Sequence, residues 1–142
     1  MKAEAANQIR WLICRDVPEI LAIEDKTLDA WDERIITSFM KQRNYIGIVS
    51  ESPDGPIDAW AIYELLPEAI FILRIAVNKE DRCCGLGKQM INRLKDKLSQ
   101  QRRKCLITKV HESNLSAQLF FQRCGFFATE LRDELIQFEY HI

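Results

Sequence analysis

The stretch from Ala69 to Leu98 constrains this chain more than any other. It runs A-I-F-I-L-R-I-A-V, then N-K-E-D, then R-C-C-G-L-G-K, then Q-M-I-N-R-L-K-D-K-L. A near-continuous run of Ile, Phe, Leu and Val predicts a strand over Ala69–Val77, buried on both faces. Leu86, Met90, Ile91, Leu94 and Leu98 recur three or four apart and predict one apolar stripe of a helix. Gly85 and Gly87 stand at the junction. A strand that turns through glycines into a helix N-terminus makes an anion site. Its free N–H groups point outward and the helix dipole adds positive potential. A Cβ at these glycines would hold a phosphate away from the backbone.

Two phosphate-loop patterns fail here. A Walker A loop needs Gly where Arg82 stands and Ser or Thr where Gln89 stands. A dinucleotide fingerprint needs Gly at Met90 and an acid at the end of the next strand, which closes near Lys109. What remains is R-x-x-G-x-G after a strand ending in Ala76-Val77.

The chain has 142 residues, enough for one domain with a core. A net charge of −1 supplies no global field for nucleic acid. The Arg102-Arg103-Lys104 cluster follows a predicted helix C-terminus, where cations suit the dipole. No apolar run reaches the length of a membrane span, and the N-terminus M-K-A-E-A-A-N has no hydrophobic signal core. Five cysteines without a C-x-x-C pair read as free thiols in a reducing cytoplasm. His111 and His141 lack metal-ligand spacing, so no metal is expected.

In chain order, Gln8–Cys14 reads as a strand. Asp16 reads as a helix N-cap with Pro18 in the first turn and Glu19 three residues on. Asp32 opens a second helix with a stripe of Ile35, Ile36, Phe39 and Met40. Tyr45–Ser50 and Ile57–Leu66 flank the turn Pro53-Asp54-Gly55-Pro56 and predict an antiparallel pair. After the central strand and its helix, Cys105–His111 completes a parallel βαβ unit. Ser113 or Asn114 caps a short helix carrying Ala117, Phe120, Phe121 and Cys124, ended by Gly125. Phe126–Arg132 and Leu135–Ile142 are strands around a tight Asp133-Glu134 turn. The sum is a mixed sheet, antiparallel at first, with one parallel crossover in the middle.

The glycine loop and the segment H-E-S-N-L-S-A-Q-L-F-F-Q-R-C-G-F together resemble the two signatures of the GNAT acetyltransferases. The early D-A-W-D-E-R-I resembles the substrate-side helix of RimI-type N-terminal protein acetyltransferases. The resemblance implies one α/β (α+β) domain over residues 1–142. Its sheet would have six or seven mixed, mostly antiparallel strands, with a central parallel crossover and helices on both faces. It implies acetyl-CoA as co-substrate and an amine acceptor, either a small molecule or a peptide N-terminus. A homodimer is compatible with it. Ile75, Ala76 and Val77 would offer main-chain groups to the pantetheine arm. Arg82, Cys83, Cys84, Gly85, Leu86, Gly87 and Lys88 would hold the pyrophosphate. Asn114, with Ala117 and Phe121 on the helix behind it, would meet the pantetheine arm, unless Asn114 only caps that helix.

The RimI-type pattern places a Glu at the position of Lys109 and a Tyr at that of Phe121, so two titrating groups are missing. A lysine amine with pKa near 10.4 is neutral about once in 10³ at pH 7, a cost of roughly 4–5 kcal/mol, whereas an α-amine costs only about 1–1.4 kcal/mol. A weak base can therefore still serve a low-pKa amine. His111 and Glu112 could act through water, against a reading as a polar strand end; Glu64 and Tyr63 are further candidates. Two functions fit: an N-acetyltransferase, or an acyl-CoA-binding sensor of the same fold.

Overall fold

The apolar run at Ala69–Val77 forms a strand over those same residues, in the middle of a seven-stranded sheet. The computed structural model describes residues 7–23, 31–78, 81 and 85–142. In order these form β1 (Gln8–Trp11), a 3₁₀ turn (Cys14–Asp16), α1 (Val17–Ile23), α2 (Glu33–Met40), β2 (Tyr45–Glu51), β3 (Ile57–Leu65), β4 (Ala69–Val77) and α3 (Leu86–Lys95). β5 (Cys105–His111), α4 (Leu115–Arg123), β6 (Phe127–Arg132) and β7 (Leu135–His141) follow. The sheet order is β1-β2-β3-β4-β5-β7-β6. Every neighbouring pair is antiparallel except β4 and β5, the pair joined through α3.

Both faces carry helices. On one, α3 and α4 close a core of Ile48, Ala61, Ile70, Ile72, Met90, Leu94, Leu106 and Phe138. On the other, α1 and α2 set Ile20 and Ile36 against Val49, Trp60 and Ile62. That second cover reaches only part of the sheet: Lys109, His111, Phe127 and Leu135 stand exposed on the α1–α2 face of β5–β7.

Local chemistry sets the ends. Asp32 accepts from the Ile35 N–H at 3.0 Å and caps α2. Asn114 does the same for α4. Gly125, at φ +94°, ends α4 in the left-handed region. Asp133 and Glu134 take φ 53° and 68° in the two-residue β6–β7 turn, the twist a tight hairpin requires.

Several expectations need correction; the first strand, for one, ends at Trp11 rather than Cys14, which lies in the 3₁₀ turn. Asp16 lies just before α1, but its carboxylate turns back to the Ile13 N–H at 2.9 Å and to the Arg10 guanidinium at 2.8 and 3.0 Å. Arg10 also reaches both Glu51 oxygens, and the cation holds the Asp16 carboxyl below its ordinary range. Glu19 does not return to the helix start; its Oε2 accepts from the Ile57 N–H at 2.6 Å and fastens β3 to α1. Leu98 packs on the core from beyond α3, which ends at Lys95. Most important for function, β4 is not buried along its whole length: Ala69, Ile70 and Ile72 are, while Leu73–Val77 are half-buried.

Candidate active site

The change along β4 has a definite origin. Its parallel ladder with β5 runs Ala69↔Cys105 to Ile72↔Thr108 and stops. On the opposite side, β3 pairs Tyr63 with Ile72 and Ile62 with Arg74, so Leu73 is an extra residue, a β-bulge. The bulge bends β4 one residue past the last β5 pair, and the two strands part. Thr108, buried at the fork, donates its Oγ1–H to the Ile72 carbonyl at 3.0 Å and holds the last rung closed. β5 continues to His111, so the fork is an opening through the sheet between Leu73–Val77 and Lys109–His111.

The opening has two unlike mouths. On the α3–α4 face, Ile75 and Val77 pack against the core edge. Gly85, at φ +84°, caps α3 there. The first helical bond is from the Gln89 N–H to the Gly85 carbonyl. Among the described residues, the N–H groups of Leu86, Gly87 and Lys88 have no protein acceptor, as a helix start dictates. These are the donors an anionic diphosphate needs, and Lys88 beside them is exposed. Arg82, Cys83 and Cys84 lie outside the described residues. Gly87 has a second reason to be glycine: a Cβ there would stand 2.9 Å from the Phe120 ring and 3.6 Å from the Val77 side chain. The residue lets α3, α4 and β4 meet.

Asn114 accepts from the Ala117 N–H at 3.2 Å, so the capping role is filled. Its exposed Nδ2 remains without a partner among the described residues and can still donate. Phe121 is 4% exposed, edge-on to Phe120 and Phe126 and stacked over Phe138. Cys124 is buried, its thiol pushed up by desolvation, so it is no thiolate nucleophile. Lys95 crosses the Tyr140 ring at 4.2 Å and donates to the Cys124 carbonyl, tying α3 to the end of α4.

On the α1–α2 face, Arg74 lies 5.6 Å from the centroid of Trp31, which stacks on Phe39. Lys109, paired with Gln137 across β5–β7, points to the same face and is exposed. The His111 Nδ1 accepts from the Ser113 N–H at 3.1 Å and its Nε2 meets Glu134 Oε2 at 3.1 Å. That assigns the ring proton to Nε2 and leaves neither nitrogen open. Glu112 offers an exposed carboxylate with no side-chain partner among the described residues. Tyr63 is buried in the core, its hydroxyl pKa raised by desolvation, and Glu64 accepts from Asn44 at 3.0 Å on the surface. A wider groove of about 510 Å³ lies between β1 and α3, but none of its lining residues borders the β4–β5 opening.

Sequence reading missed the bulge at Leu73, the Thr108 latch and Arg74. A polar Thr and a cation inside apolar runs were the available signals, and neither says where two strands part.

The model of the acetyltransferase (GNAT) family matches residues 6–126. No curated protein sequence gives a significant match. Similar solved structures include the ribosomal-protein-S18-alanine N-acetyltransferase from Escherichia coli (22% identity, TM-score 0.81, 96% of this chain and 94% of that one). Another is an acetyltransferase from Thermus thermophilus (17% identity, TM-score 0.82, 99% and 100%). A third is the PaiA N-acetyltransferase from Thermoplasma acidophilum, solved in complex with coenzyme A (13% identity, TM-score 0.78, 96% and 99%). At such identities the structures speak for the fold, and the family match speaks for descent: with most of its length covered, this chain belongs to the GNAT acetyltransferase family.

Proposed function

We propose that the chain, as one domain over residues 1–142, transfers an acetyl group from acetyl-CoA to a primary amine, on a small molecule or a peptide N-terminus, by direct attack in a ternary complex. The observation that carries this is the opening between β4 and β5, with α3 N–H groups that have no acceptor among the described residues at one mouth and an uncovered sheet face at the other.

The co-substrate enters on the α3–α4 face. The N–H groups of Leu86, Gly87 and Lys88, with the loop Arg82-Cys83-Cys84-Gly85, receive the pyrophosphate. Main-chain groups of Ile75, Ala76 and Val77 run along the pantetheine arm, and Asn114 Nδ2 donates to it from the α4 side, with Ala117 and Phe121 behind. The amine enters through the other mouth. Its lone pair attacks the thioester carbon, and a main-chain N–H on β4 past the bulge stabilises the developing oxyanion. The carbon–sulfur bond then breaks, the ammonium proton leaves to water, and the thiolate takes a proton. Glu112 is the group best placed to accept through water, because its carboxylate has no side-chain partner among the described residues; His111 orients the same turn through Glu134 and Ser113. Phe121 cannot donate to sulfur, so that proton comes from solvent.

The same absences of a Glu at 109 and a Tyr at 121 favour a second reading, an acyl-CoA sensor with little turnover. One experiment separates them. Acetyl-CoA binding is measured by calorimetry for the wild type and for Lys88→Glu, an exposed change, beside turnover against a panel of amines and peptides. Binding that weakens severalfold in Lys88→Glu, with turnover of some acceptor, supports the transferase. Binding without turnover of any acceptor selects the sensor.

A further inference from the structure

We infer that β6 is a docking edge for a second copy of this chain, and that two β6 strands pair antiparallel about a two-fold axis at Leu131. This stands apart from the acetyl-transfer reading, which needs no partner subunit. β6 ends the sheet, and no described strand lies beyond it. Its six residues are all exposed, whereas β1 at the opposite edge has only four residues. Leu131 is an apolar side chain at 61% exposure on that open edge, the kind of feature that templates strand pairing.

The β6–β7 turn fixes which backbone groups are available. Arg132 and Leu135 flank a two-residue turn whose members both have positive φ, so they face each other as a hydrogen-bonded pair. Alternation along the ladder then turns the N–H and C=O of Leu131 away from β7. About a two-fold axis at Leu131, each Leu131 N–H meets the carbonyl of the other. One patch thus serves both subunits, as a closed dimer requires.

Charge selects the occupant. Glu130 and Arg132 pair with Gln137 and Leu135 and so share the face of Lys109, while Leu131 pairs with Ile136 on the α3–α4 side. In the paired strands Glu130 lies opposite Arg132 of the partner subunit, and the two-fold axis repeats that match in the other direction. The two Leu131 side chains cover each other on the opposite face. Within one chain Glu130 and Arg132 approach at 3.8 Å, so pairing joins four charges of alternating sign. Lys109 and Asp133 line a small hollow with them, one charge of each sign, and leave the complementarity intact. The extra residue at Thr129 breaks the outer edge before Glu130 and confines the contact to Glu130–Arg132. So short a contact buries well under the roughly 1,600 Å² of a standard interface, and association is reversible, with a dissociation constant on the order of 0.1–1 mM.

The test is sedimentation velocity at protein concentrations of about 0.02–1 mM, which bracket that dissociation constant. It compares the wild type with Leu131→Asp, Glu130→Arg, Arg132→Glu and the double variant Glu130→Arg/Arg132→Glu, each checked for folding by circular dichroism. The wild type should dimerise as concentration rises, and Leu131→Asp should stay monomeric. Each single charge variant sets like charges opposite each other twice and should weaken the dimer about tenfold. The double variant should recover it. The deciding sample mixes the two single variants. Neither pairs well with itself, yet the mixture places opposite charges across both contacts and should associate as the wild type does. Both chains in that mixture keep their internal ion pair broken, so a contact that served only the hairpin would give no rescue. Added salt of about 0.5 M should weaken the dimer. A wild type that stays monomeric throughout overturns the inference and leaves the edge to a strand of another protein. A dimer indifferent to Leu131→Asp, or a mixture no more associated than its two components, overturns it as well.

Discussion

The two halves of β4 are both mainly apolar and differ in fate. Ala69–Ile72 pairs on both sides and is sealed almost throughout, with Ile70 and Ile72 at 0% and 1% exposure. Leu73–Val77 is apolar apart from Arg74, but keeps its β3 neighbour only and is half-buried. The first half is core. The second is the wall of an opening. What separates them is one inserted residue in the register with β3 and one hydroxyl on β5. A strand's apolarity therefore says that it borders something dry, and its neighbours decide whether that is protein or ligand.

The largest effect should come from the sealed half. Ile72→Ala removes a fully packed side chain and should cost about 2–5 kcal/mol by urea denaturation. Ile75→Ala, in the open half, should cost less than half of that and should instead weaken acetyl-CoA binding. Equal losses of stability at the two sites would erase the distinction.

Gly87→Ala comes next. The new methyl meets the Phe120 ring, and the strain should cost about 1–3 kcal/mol. Phe120→Leu should relieve part of it, so the double variant should be more stable than the sum of the two singles. Strict additivity would mean that Gly87 serves the ligand and not the packing.

Thr108→Val removes the latch at the fork while keeping shape. The lost bond should cost about 0.5–1.5 kcal/mol. Hydrogen exchange at β5 amides near the fork should speed up, and those of β3 should not change. Uniform acceleration across the sheet would show that Thr108 is ordinary core.

The smallest effect is a pH dependence far from the opening. Asp16 titrates below its ordinary 3.8 because Arg10 bonds to it, so its contribution is present above that value and is lost as pH falls through the lower folded value. Asp16→Asn should be less stable at pH 7 and should lose less on acidification below about pH 4 than the wild type does. Identical acid limbs in urea midpoints at matched pH would remove Asp16 from the acid response. Neither protein should show a change in the β4–β5 opening at neutral pH.

Much of this was legible beforehand because it is local. The bounds of β4 and β5, the Asp32 cap, the Asn114 helix, the left-handed Gly125 and the Asp133-Glu134 turn each depend on a few adjacent residues. The parallel crossover followed from a strand, a helix and a second strand in succession. The Gly87 reading was incomplete for the opposite reason. A sequence shows that a Cβ is absent, and cannot show that the Phe120 ring, thirty-three positions on, occupies that space. Asp16 likewise read as a local cap, and tertiary contact with Arg10 turned its carboxylate elsewhere.

The sequence by itself determined the order of strands and helices, the glycine-opened start of α3 and the loss of the usual Glu and Tyr at Lys109 and Phe121. Periodicity, turn residues and residue identity are properties of a one-dimensional string. Only the tertiary structure decided where β4 and β5 part, that Arg74 and Lys109 stand on one face of that parting, and that both nitrogens of His111 are engaged. Register between strands distant in sequence is set by the packing of whole faces, and a single bulged residue there reassigns every side chain beyond it.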